Sequence, residues 1–209
     1  MEKKRWIDIT QPLTNDMAHW PGDTPFRFEL GVTKEQSGSV NIGEIRTSLH
    51  MGTHADAPFH FDGTGRKLHE LDVNTYIGRA RVIDVTAHPS LGRSELEDYD
   101  LEGVERLLLK SSETNNPLVF PETFIELLPD IGPYLRELGI FLLGIDVPSV
   151  DRTDSKELPT HHSLGDNGIH IVENLMLADV EPGDYDFIAL PLAIHGADGS
   201  PVRAVIKKA

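Results

Sequence analysis

The stretch His50-Met51-Gly52-Thr53-His54-Ala55-Asp56-Ala57-Pro58-Phe59-His60 gathers three histidines and one carboxylate in an H-x3-H-x-D-x3-H arrangement. The chain has 10 histidines among 209 residues, so chance alone would place fewer than one in such a window. Imidazole and carboxylate ligands without a thiol suit zinc, manganese or ferrous iron. The stretch therefore predicts a metal site, and the absence of cysteine favours a catalytic site over a structural one.

The spacing of these four residues limits the backbone that can carry them. All four residues have even numbers, so an extended strand would place their side chains on one face. Ten residues of strand, however, span roughly 33 Å, whereas metal–nitrogen bonds are about 2 Å long. Gly52 and Pro58 both disfavour a helix interior. We therefore predict a strand end near residues 42–50, a bend at Gly52 and a compact loop that folds back past Pro58. Asp56 then lies between the flanking histidines, where its two oxygens can bridge a pair of metals.

Composition restricts the class of protein. The chain carries 34 acidic and 19 basic residues, a formal net charge of −15, which argues against nucleic acid or an anionic membrane surface as a partner. The basic residues near the start are followed by no apolar stretch, and the longest apolar runs fall far short of the roughly 18 residues of a membrane helix. We expect a cytoplasmic protein with a single domain over residues 1–209.

Strand-like segments are frequent along the chain and helical ones are few. The pattern predicts strands at residues 6–13, 26–33, 42–50, 80–86, 107–110, 140–145, 187–190 and 201–207. It predicts a short helix opened by a capping box at Ser94, and helical segments at residues 122–128 and 133–138. Strands that alternate with helices between β-rich ends indicate an α/β fold with a mixed β-sheet.

Four residues are too few to coordinate two metals, so a second donor segment is needed. The nearest candidates are His161 or His162, which spacing alone does not separate, and Glu173 at the end of a β-like run. Asp146 and Asp151 follow an apolar strand, where a carboxylate either lines a site or caps a loop.

These motifs together resemble the metal-dependent cyclase/hydrolase family. Residues 48–61 look like its H-x-G-T-H-x-D-x-P-x-H signature, and residues 20–23, 146–151, 161–173 and 190–204 are similar to further passages of the family. The resemblance covers essentially the whole chain. Its length and the context of Trp20 make it most similar to the bacterial kynurenine formamidase (arylformamidase) branch.

The resemblance implies a swivelling β/β/α-type fold, a homodimer and two Zn²⁺ ions per subunit, for which Mn²⁺ or another divalent metal is also compatible. The implied ligands are His50 and His54 for one zinc, Asp56 as the bridge, His161 for the second zinc, and Glu173 in contact with both. His60 is then the acid/base and Trp20 a residue that binds substrate. Spacing alone leaves open whether His60 is an acid/base or a ligand, and a Trp in a loop such as Trp20 more often anchors the fold.

The implied activity is hydrolysis of N-formyl-L-kynurenine to L-kynurenine and formate, a step of tryptophan degradation, with water activated by the two zinc ions. One alternative is a related hydrolase or cyclase that acts on another aryl or cyclic amide, as an isatin hydrolase does. A second is a metal-binding or regulatory protein without turnover, against which the surplus His60 argues. The third is a structural domain with incidental histidines. Four histidines without a supporting pattern are predicted to be structural or on the surface: His19, His69, His88 and His170.

Overall fold

The computed structural model describes residues 5–209. Within that range the strands are β1 Ile7–Asp8, β2 Arg27–Val32, β3 Ile42–Arg46, β4 His54–Asp56, β5 Ile77–Asp84, β6 Ser90–Leu91, β7 Arg106–Lys110, β8 Glu126–Leu127, β9 Leu142–Ile145, β10 His170–Glu173, β11 Gly183–Ile188, β12 Gly199–Pro201 and β13 Val205–Lys208. The α-helices are α1 Lys34–Ser37, α2 Arg93–Leu96, α3 Ile131–Leu138 and α4 Pro159–Asp166. Short 3₁₀ turns cover Pro58–His60, Leu68–Glu70 and Val73–Tyr76.

A nine-stranded sheet in the order β1-β13-β11-β5-β7-β9-β10-β4-β12 organises the chain. The four central strands β5, β7, β9 and β10 are parallel, and the strands on either side of them pair antiparallel. Two small sheets, β2 with β3 and β6 with β8, lie apart from it. The α/β fold class with a mixed sheet, predicted from the sequence, is therefore confirmed.

β7 and β9 are buried almost throughout, which explains their apolar sequences. In β7, Leu107 and Leu109 join the core that packs against α3 and α4, whereas Leu108 points into a second core. The sheet curls around this second core, so that a β-bridge joins Thr10, just after β1, to Leu175, just after β10. None of the helices between residues 5 and 209 is long and apolar enough to cross a membrane.

The register of three neighbouring strands brings distant polar residues together. His54 of β4 pairs with Glu173 of β10, and Asp56 of β4 pairs with Gly199 of β12. Ala55, between the two polar residues of β4, points to the opposite face and joins the apolar core. The carboxyl end of β10 and the start of β4 therefore present acidic and imidazole side chains on one face.

Some predicted element bounds were wrong. The strand predicted for residues 42–50 ends at Arg46, since it pairs only with β2 and the chain then turns toward Gly52. The helix predicted for residues 122–128 is instead extended and contains β8, where buried and exposed residues alternate between the two prolines that bound the segment. The helix predicted to start at Ser94 begins one residue earlier, because the Glu95 carboxylate accepts a hydrogen bond from Gly92 N.

Candidate metal centre

A cavity of about 650 Å³ opens at the start of β4 and at the carboxyl ends of β9 and β10. His50, His54, His60, His161 and Glu173 all line it. The structure therefore brings residues from the first quarter of the chain and from its last third into one site. Helix α4, which the sequence analysis did not predict, carries His161, while His162 on its outer side is exposed.

Two buried carboxylates form the centre of the cluster. Asp56 Oδ1 lies 2.9 Å from His50 Nδ1 and 3.4 Å from His54 Nε2, and Asp56 Oδ2 lies 3.6 Å from His161 Nε2. Glu173 reaches His54 Nε2 with one oxygen at 3.3 Å and His161 Nε2 with the other at 3.6 Å. Asp56 thus lies among three imidazoles, and its bridging role stays a prediction.

Each of the three histidines also faces an acceptor outside the cluster with its second ring nitrogen. These acceptors are Asp198 Oδ2 for His50 Nε2 at 3.0 Å, Gly52 O for His54 Nδ1 at 2.8 Å, and Asp151 Oδ2 for His161 Nδ1 at 2.7 Å. An N–H that donates outward fixes the tautomer and leaves the other nitrogen to act as a ligand. Each ring therefore turns its remaining nitrogen toward the central carboxylates, where a bound metal ion would take the place of the proton on that nitrogen.

The buried carboxylates of the cluster stabilise positive charge. Burial lowers the pKa of the three histidines, but their carboxylate partners outweigh it and raise the pKa to about 9 for His50 and about 10 for His54 and His161. Burial raises the pKa of Asp56, yet the surrounding imidazoles hold that pKa well below its usual range. Among residues 5–209, no lysine or arginine pairs with Asp56 or Glu173. A divalent cation would supply the missing charge.

The donor set fits such a cation. Asp56 Oδ2 is buried and has no hydrogen-bond partner among the described residues, which is costly unless a ligand satisfies it. Three groups of converging ligand atoms are present: His50, His54 and Asp56; Asp56, His161 and Glu173; and, nearer the surface, His50, His60 and Asp198. Only the first two share the unsatisfied Asp56. Imidazole and carboxylate donors without thiolate suit divalent metals of the zinc, manganese and iron type.

His60 lies beside this cluster rather than within it. Its ring centroid is 3.8 Å from that of His50 and 5.9 Å from that of His161, and its side chain is 32% exposed at the cavity wall. Burial lowers its pKa. The residue can therefore hold a neutral imidazole that meets a molecule in the cavity.

The cavity mouth is formed by the loop that carries Trp20 and the loop that carries Phe120. Trp20 lines the cavity and packs edge-on against Phe120 at 5.6 Å between ring centroids, and Ala18 N donates to Pro117 O. His19, predicted to be structural or on the surface, also lines the cavity. Its position next to Trp20 is the sequence signal that could have indicated this.

Local backbone features explain how these side chains converge. Gly52 adopts φ +62°, a left-handed conformation that suits glycine, and so makes the predicted bend between His50 and β4. At the start of α4, Asp151 accepts hydrogen bonds from Thr160 N and His161 N as well as from the His161 ring. The same carboxylate therefore caps the helix and orients the histidine that the helix presents.

Asp151 and Asp198 contact candidate ligands, and the sequence alone assigned neither of them a definite role. The sequence left open whether Asp151 lines a site or caps a loop. In the structure it caps the start of α4 and also contacts the ring of His161, a candidate ligand. Asp198 lies in residues 190–204, a passage similar to the family, and 148 residues separate it from the His50 ring that it contacts. The pairing of β12 with β4 brings it there, and no local pattern shows that pairing.

Comparisons of sequence and of structure with known proteins point to one family. Residues 7–152 match the family described as putative cyclase. Proteins named kynurenine formamidase from Bacillus cytotoxicus and Bacillus cereus are 56% and 57% identical to the chain, in each case over 99% of both proteins. A solved potential metal-dependent hydrolase with cyclase activity superposes with a TM-score of 0.86 at 25% identity over 99% of both chains. Isatin hydrolase A from Labrenzia aggregata superposes with a TM-score of 0.83 at 21% identity, over 98% of this chain and 93% of that one.

Proposed function

The chain belongs to the putative cyclase family, and on this premise we propose that it hydrolyses N-formyl-L-kynurenine to L-kynurenine and formate. Identity of 56–57% to kynurenine formamidases over nearly full length supports the substrate. The family and the class of metal-dependent hydrolase predicted from the sequence are confirmed. The likeness to isatin hydrolase A, at 21% identity, extends to the fold alone. Residues 1–209 act as one hydrolase domain in this proposal, and the cytoplasmic location stays a prediction.

One observation carries the chemistry: two buried carboxylates and three oriented imidazoles converge around the unsatisfied Asp56 Oδ2, with His60 beside them. We assign the ligands of two zinc ions to this cluster. His50, His54 and Asp56 would hold the first, Asp56 and His161 the second, and Glu173 would contact both. When bound, such ions lower the pKa of a water molecule toward 7 and polarise a carbonyl group.

The remaining steps fall to the side chains of this chain. Cleavage of the formyl amide breaks a C–N bond, so the leaving anilide nitrogen needs a proton and the attacking water must lose one. A neutral His60 imidazole takes up the proton from water and delivers it to that nitrogen. Trp20, half-buried at the cavity mouth, stacks on the aromatic ring and excludes water from the amide.

The test is hydrolysis of N-formyl-L-kynurenine, followed by absorbance, on protein stripped of metal and then reloaded with Zn²⁺. We expect turnover to vanish on chelation and return with zinc. His60→Ala should retain zinc but lose at least about 100-fold in kcat, the usual contribution of a general acid/base. His162→Ala, on the exposed side of the same helix as His161, is the matched control and should be unaffected. Full turnover without metal would refute the proposal.

We propose a homodimer whose interface includes the β2–β3 hairpin. Both strands are exposed along almost their whole length, and four large apolar side chains of the hairpin are about half exposed or more: Phe28, Leu30, Ile42 and Ile45. An exposed apolar patch of this kind is typical of an interface. We expect light scattering to give twice the chain's mass for the parent and for Glu44→Ala, but one chain's mass for Ile45→Asp. A monomeric parent would contradict this.

A further inference from the structure

A single carboxylate oxygen faces two histidines with different proposed roles. Asp198 Oδ2 lies 3.0 Å from His50 Nε2 and 3.8 Å from His60 Nδ1. The two rings lie against each other with centroids 3.8 Å apart and planes tilted by 32°. Asp198 therefore spans the edges of a stacked pair in which one ring is a proposed zinc ligand and the other the proposed acid/base.

The backbone holds Asp198 in this place. Its carbonyl oxygen accepts a hydrogen bond from Ala57 N at 2.8 Å, and the next residue, Gly199, pairs with Asp56 across β12 and β4. Ala57 lies between Asp56 and the 3₁₀ turn that ends in His60. Asp198 is thus tied to the same segment that carries a central carboxylate and the acid/base.

Unlike the side chain of Asp151, the side chain of Asp198 caps no helix among residues 5–209. Asp151 is 4% exposed and caps α4 through two backbone N–H groups. Asp198 is 41% exposed, and among residues 5–209 the side-chain partners recorded for it are the two histidines. A partly exposed carboxylate that contacts only the two histidines is suited to orienting them.

We propose that Asp198 is a positioning residue, which acts through His60 in proton transfer and through His50 in metal retention. This inference rests on the proposed function. When the His60 Nδ1–H donates to Asp198, the His60 Nε2 is left as the nitrogen that exchanges a proton with the substrate. The 3.8 Å separation closes to hydrogen-bond length on substrate binding, as catalytic contacts commonly do. When the His50 Nε2–H donates to Asp198, the His50 Nδ1 stays directed at the metal.

The test is a double-mutant cycle between Asp198→Ala and His60→Ala in the zinc-loaded enzyme, with N-formyl-L-kynurenine as substrate. We expect Asp198→Ala alone to lower kcat by about 10- to 100-fold, as loss of such partners does, with KM nearly unchanged. In the His60→Ala background, the same substitution should change kcat by less than about threefold, because its partner is already gone. Asp198→Asn keeps an acceptor oxygen and should recover part of the loss. Asp62→Ala is the matched control, because it removes an exposed carboxylate that accepts a hydrogen bond from Thr64 and contacts neither histidine.

A second readout concerns metal retention. We expect zinc transfer to a chelator to be faster in Asp198→Ala than in the parent, with or without His60, since the His50 ring loses its orienting partner. Equal kcat losses in both backgrounds would overturn the role through His60, and an unchanged zinc-release rate would overturn the role through His50. If His60→Ala alone is fully active, the proposed acid/base fails instead, and the zinc-release rate still decides the role of Asp198 toward His50.

Discussion

Gly199 lets the His50 ring approach the strand that faces it. A Cβ added to this glycine would lie 2.7 Å from His50 Cε1 and 3.1 Å from the Ala55 carbonyl oxygen. Real side chains do not tolerate the shorter distance, and the backbone oxygen prevents an easy shift of the strand. A side chain at position 199 would therefore collide with the ring of a candidate ligand, and this contact, not an unusual backbone conformation, requires the glycine.

We predict that Gly199→Ala weakens zinc binding by about tenfold or more, because the added methyl group pushes the His50 ring away from Asp56. Zinc titration of the metal-free protein measures the effect. Gly63→Ala is the control, since a Cβ at Gly63 meets nothing within 4 Å, and its affinity should equal that of the parent. Unchanged zinc affinity in Gly199→Ala would show that the His50 ring is not constrained by this contact.

At the scale of elements, the sequence predicted what depends on local pattern. The apolar runs at 107–110 and 140–145 are central strands, since burial on both faces requires such runs. The three histidines and Asp56 lie close in sequence, so their cluster was also predictable. The alignment of Glu173 with His54 depends on strand register, which no local pattern encodes.

Helix α4 was missed for a related reason. The residue before it, Leu158, adopts a left-handed conformation with φ 45° and provides no side-chain cap. The cap comes from Asp151, several residues upstream in a loop, whose carboxylate accepts from Thr160 N and His161 N. A capping signal requires the capping residue to be adjacent, and here it is not, so Pro159 at the first helical position is the local start signal that remains.

We predict that Asp151→Ala loosens this helix start and the histidine on it. The substitution leaves buried N–H donors unpaired, so the free energy of unfolding of the metal-free protein should fall by about 2 kcal/mol. Zinc affinity should fall by about 10- to 100-fold, because the His161 Nδ1 loses its acceptor. Urea unfolding and zinc titration measure the two effects. Asp154→Ala removes an exposed carboxylate paired with Arg152 and should change stability by less than about 0.5 kcal/mol.

At the scale of the whole molecule, charge and cavity point to how the substrate is selected. The chain carries a formal net charge of −15, and none of the described residues that line the cavity is a lysine or arginine. The proposed substrate ends in an α-ammonium and an α-carboxylate. Among the described residues that line the cavity, the partly buried Asp23 is a carboxylate that can pair with the ammonium, but no lysine or arginine is present for the carboxylate. Asp146 also lines the cavity, but its oxygens already accept hydrogen bonds from Ser111 and Ser112.

We therefore predict that the enzyme tolerates loss of the substrate's carboxylate. A charge-assisted hydrogen bond contributes about 1.5–3 kcal/mol, so an enzyme that used one for the carboxylate would lose at least about tenfold in kcat/KM when it is removed. N-formylkynuramine, which lacks only that group, should retain kcat/KM within about fivefold of N-formyl-L-kynurenine. The analogue that lacks the ammonium instead is the matched comparison, and it should lose more, because the Asp23 carboxylate lines the cavity. A loss of tenfold or more with N-formylkynuramine would contradict this prediction and show that the carboxylate is bound, with His19 at the cavity mouth the first residue to substitute.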